Sequence, residues 1–367
     1  MIFMIRLFLN SYFLKRQPFS LIHFITNKCN ASCSHCFIDF DNPEMFKNEL
    51  TLEEIERLSK KLGKSLFNIN LTGGEPFLRE DIFEIAQIYF RNTSIKSLFI
   101  TTNGTYTSRI KSFADRFTAS GIKGKVIFSI SIDGIAEEHD KNRGVPGLFD
   151  KAIETYRAIE AYNNKSLIAN IAITVTDTNY DRVLEVYSRL KEMGVGAVVS
   201  ILMREAGKAK IKNKEAILDS YMALTRKIHE DQLAKSTKGF GSTLQGTVMN
   251  SKNIVLERLL PGVYLKRNFV VNCSAASLFG IIYANGEVHP CEMLSFKLGN
   301  LRDYDMDFLV LWKNQRSDEF RKLIRKTKCS CSFECAWSIN IISNFRFIPP
   351  LLGNCIRLVS GKEMKHG

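Results

Sequence analysis

The chain has 367 residues, enough to bury a large core, and this length favours one large domain plus a smaller one. Hydrophobic residues make up 45% and charged residues 24%, which excludes a wholly disordered chain, a collagen-like chain and a polytopic membrane protein. The formal net charge of +13 predicts attraction to anions without selecting among them. No nucleic-acid-binding motif accompanies this charge, so no nucleic-acid partner is expected.

The N-terminal segment is apolar enough to resemble a signal peptide, but Arg6 interrupts the apolar run and no small-residue cleavage site follows. It is also too short to span a bilayer. A helix over residues 1–18 would align Arg6, Asn10, Ser11 and Lys15 as a polar stripe and leave a broad apolar face. We therefore expect a cytoplasmic protein whose apolar face either packs on the protein or makes peripheral contact with a membrane.

Six short apolar, β-branched runs alternate with amphipathic stretches over roughly the first two hundred residues. The predicted strands cover residues 21–25, 67–71, 98–102, 126–132, 168–175 and 197–202. The predicted helices cover residues 52–62, 81–90, 108–120, 149–162 and 180–193. The first helix opens with Thr51 and Glu54 at capping-box spacing. Such β-then-α units predict an α/β fold with a partial (β/α)6 TIM-like barrel.

The pattern changes after the sixth predicted strand, where a long polar helix precedes a stretch containing Gly, Ser and Thr. We predict an N-terminal helix at 1–18, a barrel domain at 19–236, a linker at 237–272, a small cysteine-rich domain at 273–356 and a tail at 357–367. In a barrel the loops after the strands gather at one mouth, where functional residues concentrate.

Three cysteines, Cys29, Cys33 and Cys36, lie at C-x3-C-x2-C spacing in the loop after the first predicted strand. A zinc site completed by His35, a four-cysteine electron-transfer cluster and ordinary loop cysteines are alternative interpretations. A cubane cluster has four irons, so three thiolates would leave one iron free to bind a small chelating molecule. The position of the triplet in a chain of βα units favours such a cluster.

The triplet, followed by Gly73-Gly74-Glu75-Pro76 at the next strand end, resembles the core of the radical S-adenosylmethionine (SAM) superfamily over about residues 20–205. The resemblance implies a [4Fe-4S] cluster on the three cysteines, with SAM chelating the fourth iron. It implies reductive cleavage of SAM to methionine and a 5′-deoxyadenosyl radical, which abstracts hydrogen from a substrate. An electron donor such as flavodoxin or ferredoxin would reduce the cluster.

The resemblance also assigns residues that contact SAM. His35 takes the place of an aromatic residue that packs near the adenine in this family. Gly73, Gly74 and Glu75 would receive the methionine amino group, and glycines permit the close backbone approach that this needs. Asn103 resembles the residue that hydrogen-bonds the ribose.

Ser131 and Arg143 resemble a pair that contacts SAM in a subgroup of the family. The Arg143 guanidinium would pair with the SAM carboxylate through two hydrogen bonds. A strand serine and a loop arginine are also common structural residues, so both interpretations stay open here. No residue is assigned as an acid or base acting on the substrate.

A second cysteine group resembles the SPASM and Twitch extensions, which carry auxiliary iron–sulfur clusters after radical SAM barrels. It comprises Cys273, Cys291, Cys329, Cys331, Cys335 and Cys355. A full SPASM pattern has seven cysteines, and six cannot close two four-cysteine clusters. Either one complete cluster forms with two spare cysteines, or two clusters form with an open or non-cysteine position. We expect at least one auxiliary [4Fe-4S] cluster, with structural zinc as the alternative.

The expected substrate is a peptide or protein in post-translational maturation, or a biosynthetic small molecule. A lipid-linked or membrane-associated substrate is an alternative, given the apolar N-terminus and the basic charge. Only about twenty residues precede the first predicted strand, so no leader-binding domain is expected in this chain. A non-catalytic iron–sulfur or zinc regulatory protein is the alternative of another class.

Overall fold

The computed structural model describes residues 2–38, 43–205, 209–234 and 244–360. The six predicted strands are confirmed as β1 Ser20–Thr26, β2 Asn68–Gly73, β3 Ser97–Thr102, β4 Lys125–Ser131, β5 Leu167–Val175 and β6 Val198–Leu202. They pair in parallel in chain order, from β1 beside β2 to β5 beside β6. The apolar runs are nearly continuous because parallel strands are buried on both faces. The predicted α/β fold with a partial barrel is confirmed.

Helices follow the strands and cover the outside of the sheet. The helices up to the end of the barrel are α1 Ile2–Leu9, α2 Leu52–Lys60, α3 Ile82–Asn92, α4 Thr107–Ala119, α5 Glu137–Arg143, α6 Leu148–Glu160, α7 Val183–Glu192 and α8 Lys214–Leu233. The predicted capping box starts α2: Thr51 Oγ1 accepts from the Glu54 amide at 3.2 Å, and the Glu54 carboxylate accepts from the Thr51 amide at 2.9 Å. Helix α5 was not predicted because its sequence is entirely polar or charged.

The cysteine-rich region continues the barrel sheet instead of forming a separate one. Its strands are β7 Phe279–Ile282, β8 Glu287–His289 and β9 Gly299–Asn300. Strand β7 pairs in parallel with β1, with Ser20 opposite Phe279, and β8 and β9 extend the sheet as antiparallel strands. The tight turn between β7 and β8 contains Gly286 at φ 84°, a conformation that favours glycine.

Five helices complete the described chain: α9 Leu244–Lys266, α10 Phe308–Trp312, α11 Gln315–Lys326, α12 Glu334–Ile342 and α13 Ile348–Ser360. Helix α9 occupies most of the predicted linker, whose residues 237–243 lie outside the described residues. It packs against α13, where Ser251 Oγ donates to the Leu351 carbonyl at 2.7 Å. Helix α13 runs past residue 357, the predicted start of the tail, and residues 361–367 lie outside the described residues.

The N-terminal helix α1 continues into a π-helical turn over Asn10–Leu14. The predicted polar stripe is only partly exposed, because Asn10 and Ser11 are buried. The Asn10 side chain donates to the Gln17 carbonyl at 2.8 Å and accepts from the Gln17 amide at 3.1 Å, which turns the chain into β1. Among the described residues, no helix combines the length and apolarity needed to span a membrane.

Candidate active site

A cavity of about 340 Å³, here called the chamber, lies at the carboxyl ends of the barrel strands. The predicted site residues that line it are Cys29, Cys33, His35, Cys36, Gly73, Gly74, Asn103, Ser131 and Arg143. They come from the loops and strand ends after β1, β2, β3 and β4. Residues at the ends of β5 and β6, such as Thr174 and Leu202, complete the wall. Residues far apart in the sequence therefore meet at one mouth of the barrel.

The loop that carries the cysteine triplet is held in place by the end of α5. The Ser32 amide donates to the Arg143 carbonyl at 2.9 Å, and the Ser34 amide donates to the Asn142 carbonyl at 3.1 Å. Within the loop, the Cys36 amide donates to the Cys33 carbonyl at 3.0 Å. These backbone bonds fix the loop without using the thiols, which stay available as ligands.

The three thiols of the triplet are free and only partly exposed. Burial raises the pKa of Cys29 to about 12 and also raises the pKa of Cys33 and Cys36. The Arg143 guanidinium, whose Nη1 lies 3.8 Å from Cys33 Sγ, acts in the opposite direction on the latter two. Buried thiolates need nearby positive charge, and iron ions would supply it. The donor set therefore fits an iron–sulfur cluster.

Gly73 and Gly74 form the part of the chamber where β2 meets the cysteine loop. A Cβ on Gly73 would overlap the Thr26 carbonyl oxygen, and one on Gly74 would overlap that of Lys28. The Gly74 amide donates to the Thr26 carbonyl at 2.9 Å, so the backbones are in direct contact. Only glycine fits this approach.

The Glu75 side chain is fully buried and does not line the chamber. Its carboxylate accepts from Phe77 N at 3.1 Å, Thr102 Oγ1 at 2.8 Å and Asn103 N at 2.7 Å. Burial raises the pKa of Glu75 to about 7, although these hydrogen bonds act against the rise. The carboxylate therefore ties the end of β2 to the end of β3; its predicted contact with the SAM amino group remains a prediction.

The Asn103 side chain joins the β3 loop to the cysteine loop. Its Nδ2 donates to Asn30 Oδ1 at 2.9 Å, and its Oδ1 accepts from the Thr105 amide at 2.9 Å. Asn30 Nδ2 in turn donates to Thr105 Oγ1 at 3.0 Å. Asn103 lines the chamber with its side-chain amide held by these bonds, and its contact with the SAM ribose stays a prediction.

Arg143 forms a buried ion pair that the sequence did not predict. Its Nε and Nη2 donate to Asp133 Oδ2 at 3.1 and 2.6 Å, and Asp133 Oδ1 accepts from the Thr174 amide at 2.9 Å. Burial alone would raise the pKa of Asp133, but the Arg143 guanidinium holds that pKa below its usual range. His35 Nε2 lies 3.9 Å from the same carboxylate, and burial lowers the pKa of this imidazole. Ser131 lies at the end of β4 and reaches the chamber wall.

The chamber is also lined by four residues that the sequence does not place there: Arg204, Glu292, Glu334 and Cys335. The Arg204 guanidinium pairs with Glu292 and lies over the rings of Phe37 and Phe333, at 5.6 and 4.7 Å from their centroids. Arg204 follows β6, and the rule that functional residues follow barrel strands could have found it. The others come from the cysteine-rich region, and no local pattern connects them to the barrel mouth.

A second cavity, of about 550 Å³, is lined by four cysteines of the second group: Cys273, Cys291, Cys329 and Cys331. Cys273 precedes β7, Cys291 follows β8, and the other two lie between α11 and α12. Burial raises the pKa of all four, to about 12 for Cys291 and Cys331. Four thiols around one cavity match the ligand set of a closed cubane.

The two remaining cysteines are not brought to this second cavity. Cys335 lines the chamber, and Cys355 lies on α13 with its Sγ 4.0 Å from the Thr247 carbonyl oxygen. Whether one complete auxiliary cluster forms with two spare cysteines, or two clusters form with an open or non-cysteine position, stays a prediction. In the described parts of the chain, no three His, Cys, Asp or Glu side chains could hold one metal ion together. A cubane does not require this, because each thiolate binds a different iron.

Comparison with known proteins gives two family matches. The radical SAM superfamily profile matches residues 24–190, and the profile of the SPASM iron–sulfur cluster-binding domain matches residues 273–336. The first covers the cysteine triplet and the barrel from the end of β1 into α7, and it ends before β6. The second covers the four cysteines of the second cavity together with Cys335.

Individual relatives extend the similarity along the chain. Fe-coproporphyrin III synthase of Methanosarcina barkeri is 27% identical over 88% of this chain and 82% of its own length. The sporulation killing factor maturation protein SkfB of Bacillus subtilis is 24% identical over 79% of this chain and 64% of its own. The solved structure of anSMEcpe with bound AdoMet superposes with a TM-score of 0.62 at 21% identity, covering 94% of this chain and 98% of that one.

Proposed function

Because this chain belongs to the radical SAM superfamily and carries an SPASM domain, we propose that it abstracts a hydrogen atom from a peptide or a biosynthetic small molecule bound in the chamber. The chain is a radical SAM enzyme with a SAM-binding [4Fe-4S] cluster and at least one auxiliary cluster. When bound, the reduced cluster supplies one electron that cleaves SAM to methionine and a 5′-deoxyadenosyl radical. Flavodoxin or ferredoxin is the electron donor that we propose.

The observation that carries this proposal is the convergence of three cysteines, two glycines and Asn103 on one chamber at the barrel mouth. Cys29, Cys33 and Cys36 would hold the cluster, and Cys273, Cys291, Cys329 and Cys331 the auxiliary one. Gly73 and Gly74 would admit the methionine end of SAM, and His35 would face its adenine. Arg143, fixed by Asp133, places positive charge beside Cys33.

The substrate class is tested by 5′-deoxyadenosine production under anaerobic, reducing conditions. Parallel assays receive a peptide extract, a small-molecule extract or a lipid extract of the source cells. We expect the peptide extract or the small-molecule extract to raise the rate of 5′-deoxyadenosine formation several-fold above the substrate-free rate, because a bound substrate supplies the hydrogen atom. The Cys36→Ala variant lacks one proposed ligand of the SAM-binding cluster, so it measures any SAM cleavage that does not depend on this cluster. A rise with lipid alone would contradict the proposed substrate class.

An exposed apolar surface at the two ends of the chain supports peripheral membrane contact as a second proposal. Nine large apolar side chains within residues 5–14 and 345–359 are 43–69% exposed: Ile5, Phe8, Leu9, Phe13, Leu14, Phe345, Leu352, Ile356 and Val359. Phe345 brings the two segments into contact, because its ring centroid lies 4.6 Å from that of Tyr12 and 5.6 Å from that of Phe13. Arg6, Arg346 and Arg357 are exposed in the same segments and favour anionic lipid.

Vesicle co-sedimentation tests this second proposal. We expect the protein to bind vesicles containing anionic lipid. The double variant Phe13→Glu, Leu14→Glu should bind these vesicles more weakly by a factor of about ten or more, since both apolar contacts are lost. Val310→Glu on α10 is the matched control, because Val310 is 56% exposed away from the chain ends. Equal binding by the double variant and the parent would refute the membrane surface.

A further inference from the structure

A third cavity, of about 300 Å³, lies between the turn before β1, the turn before β7 and helix α11. It shares only Cys273 and Ile324 with the second cavity, and the proposed function does not use it. Its volume is at the lower end of the roughly 300–1,000 Å³ that is typical of small-molecule sites. We call it the basic pocket, after six polar residues that line it: Lys15, Asn272, Ser274, Ser277, Arg321 and Arg325.

The basic pocket carries positive charge that its own lining does not neutralise. Three of its residues are cations, and none of the described residues that line it is Asp or Glu. Burial lowers the pKa of Lys15, and repulsion by the Arg325 guanidinium lowers it further. The exposed Asp318 carboxylate, outside the lining, accepts from Arg321 Nη1 at 2.7 Å. An anion inside the pocket would relieve the remaining repulsion.

Two of the three cations are held in place by backbone carbonyls. Arg321 Nε donates to the Ala276 carbonyl at 2.7 Å, and its Nη2 donates to the Trp312 carbonyl at 2.5 Å. Lys15 Nζ donates to the Ser343 carbonyl at 3.2 Å. Because these acceptors are uncharged, the bonds position the positive charges without neutralising them.

Two buried hydroxyl groups give an independent indication that a ligand binds here. Ser274 and Ser277 are only 4% and 7% exposed, and both line the basic pocket. Neither hydroxyl has a hydrogen-bond partner within the described ranges of the chain, and the same is true of the exposed Arg325 guanidinium. Buried polar groups normally have partners, and the oxygens of a bound anion would provide them.

We propose that the basic pocket binds a phosphate group. A phosphate monoester carries about 1.5 to 2 negative charges near neutral pH and three strong acceptor oxygens, which suits three cations and two hydroxyls. A carboxylate carries a single charge, for which one guanidinium is enough. Lys15, Arg321 and Arg325 would pair with the phosphate oxygens. Ser274 and Ser277 would donate hydrogen bonds to them.

The phosphate belongs either to a lipid headgroup or to a soluble metabolite. Lys15 directly follows Phe13 and Leu14, which are 61% and 62% exposed on the apolar surface at the chain ends. Its hydrogen-bond partner Ser343 lies two residues before Phe345 of the same surface. The basic pocket therefore lies at the edge of the apolar surface, which favours a headgroup phosphate. This preference rests on the proposed membrane contact, whereas the phosphate site depends neither on that contact nor on SAM cleavage.

Calorimetric titration of the anaerobically reconstituted full chain tests the site. Reconstituted protein is used because Cys273, a proposed cluster ligand, also lines the pocket. The probes are glycerol 3-phosphate, short-chain phosphatidic acid below its micelle concentration, and acetate, all at about 0.15 M ionic strength to screen unspecific attraction. We expect both phosphate probes to bind and acetate not to bind. Arg325→Gln should weaken phosphate binding about tenfold or more, and Ser277→Ala about fivefold, because each variant loses one hydrogen-bond donor.

Lys326→Gln is the matched control, because Lys326 is the next residue on α11, is exposed and does not line the pocket. Its phosphate affinity should stay within about twofold of the parent. Tighter binding of phosphatidic acid than of glycerol 3-phosphate would identify a lipid headgroup, and equal affinities a soluble phosphorylated ligand; either result supports the site.

Binding of neither phosphate probe, or acetate binding with equal affinity, would overturn the inference. Equal losses in Arg325→Gln and Lys326→Gln would also overturn it, because they would indicate unspecific charge attraction. Polyglutamate that binds in an Arg325-dependent manner, while the phosphate probes do not bind, would assign the pocket to an acidic protein instead. None of these results bears on 5′-deoxyadenosine formation, so the proposed function is tested separately.

Discussion

Replacing Cys33 by alanine is expected to abolish 5′-deoxyadenosine formation. Cys33 lies between the other two cysteines in a loop that Arg143 and Asn142 hold in place, so two thiolates would remain where a cubane needs three. Iron should fall by about four per chain, with the auxiliary cluster retained. The measurements are chromatography of 5′-deoxyadenosine under anaerobic, reducing conditions, and iron and sulfide analysis.

Cys355→Ala is the matched control for this result. It also removes one partly buried cysteine, but from α13 and away from both cavities. Its 5′-deoxyadenosine output and iron content should equal those of the parent. Parental output from Cys33→Ala would contradict the assignment of the triplet.

Replacing Gly74 by alanine should destabilise the holoprotein and prevent SAM binding. The added Cβ would overlap the Lys28 carbonyl oxygen, and this oxygen also accepts from the Glu75 amide at 2.8 Å. Backbone atoms cannot move aside as a flexible side chain does, so we expect a loss of about 3 kcal/mol in the free energy of unfolding. Anaerobic denaturant titration and equilibrium binding of SAM measure the two effects.

Gly353→Ala controls for the loss of a glycine as such. Gly353 lies in α13, and nothing surrounds the position where a Cβ would be added. Alanine there should stabilise the protein by about 1 kcal/mol, because glycine is a poor helix former. Unchanged stability and SAM affinity in Gly74→Ala would show that the cysteine loop does not depend on this close approach.

The barrel could be predicted from the sequence because its signals are local. Each strand is an apolar run buried on both faces, and each crossover helix has its own apolar stripe. Strand β7 could not be placed in the same way. Its partner β1 is more than two hundred residues away, and a four-residue apolar run does not specify its neighbour. Helix α9 was missed because glycines and Pro261 weaken its local helix signal, while burial of Ile254 and Leu260 stabilises it.

The functional site also has some features with local sequence signals and others that depend on tertiary packing. The triplet and the GGEP sequence were visible because consecutive residues carry them, and the barrel rule placed them at one mouth. The division of the six later cysteines depends on how α11 and α12 pack, so spacing alone left two arrangements open. Cys331 and Cys335 are only four residues apart in the sequence, yet they line different cavities. The partnership of Arg143 with Asp133 likewise needs the tertiary structure.

Electron paramagnetic resonance of the anaerobically reconstituted, dithionite-reduced protein tests the central claim most directly. The triplet leaves one iron without a protein ligand, so SAM should change the g-values of the reduced [4Fe-4S] signal. The auxiliary signal should stay unchanged, because the four thiols that line the second cavity would complete the ligand set of its cluster. A reduced signal from the triplet cluster that is identical with and without SAM would contradict the account.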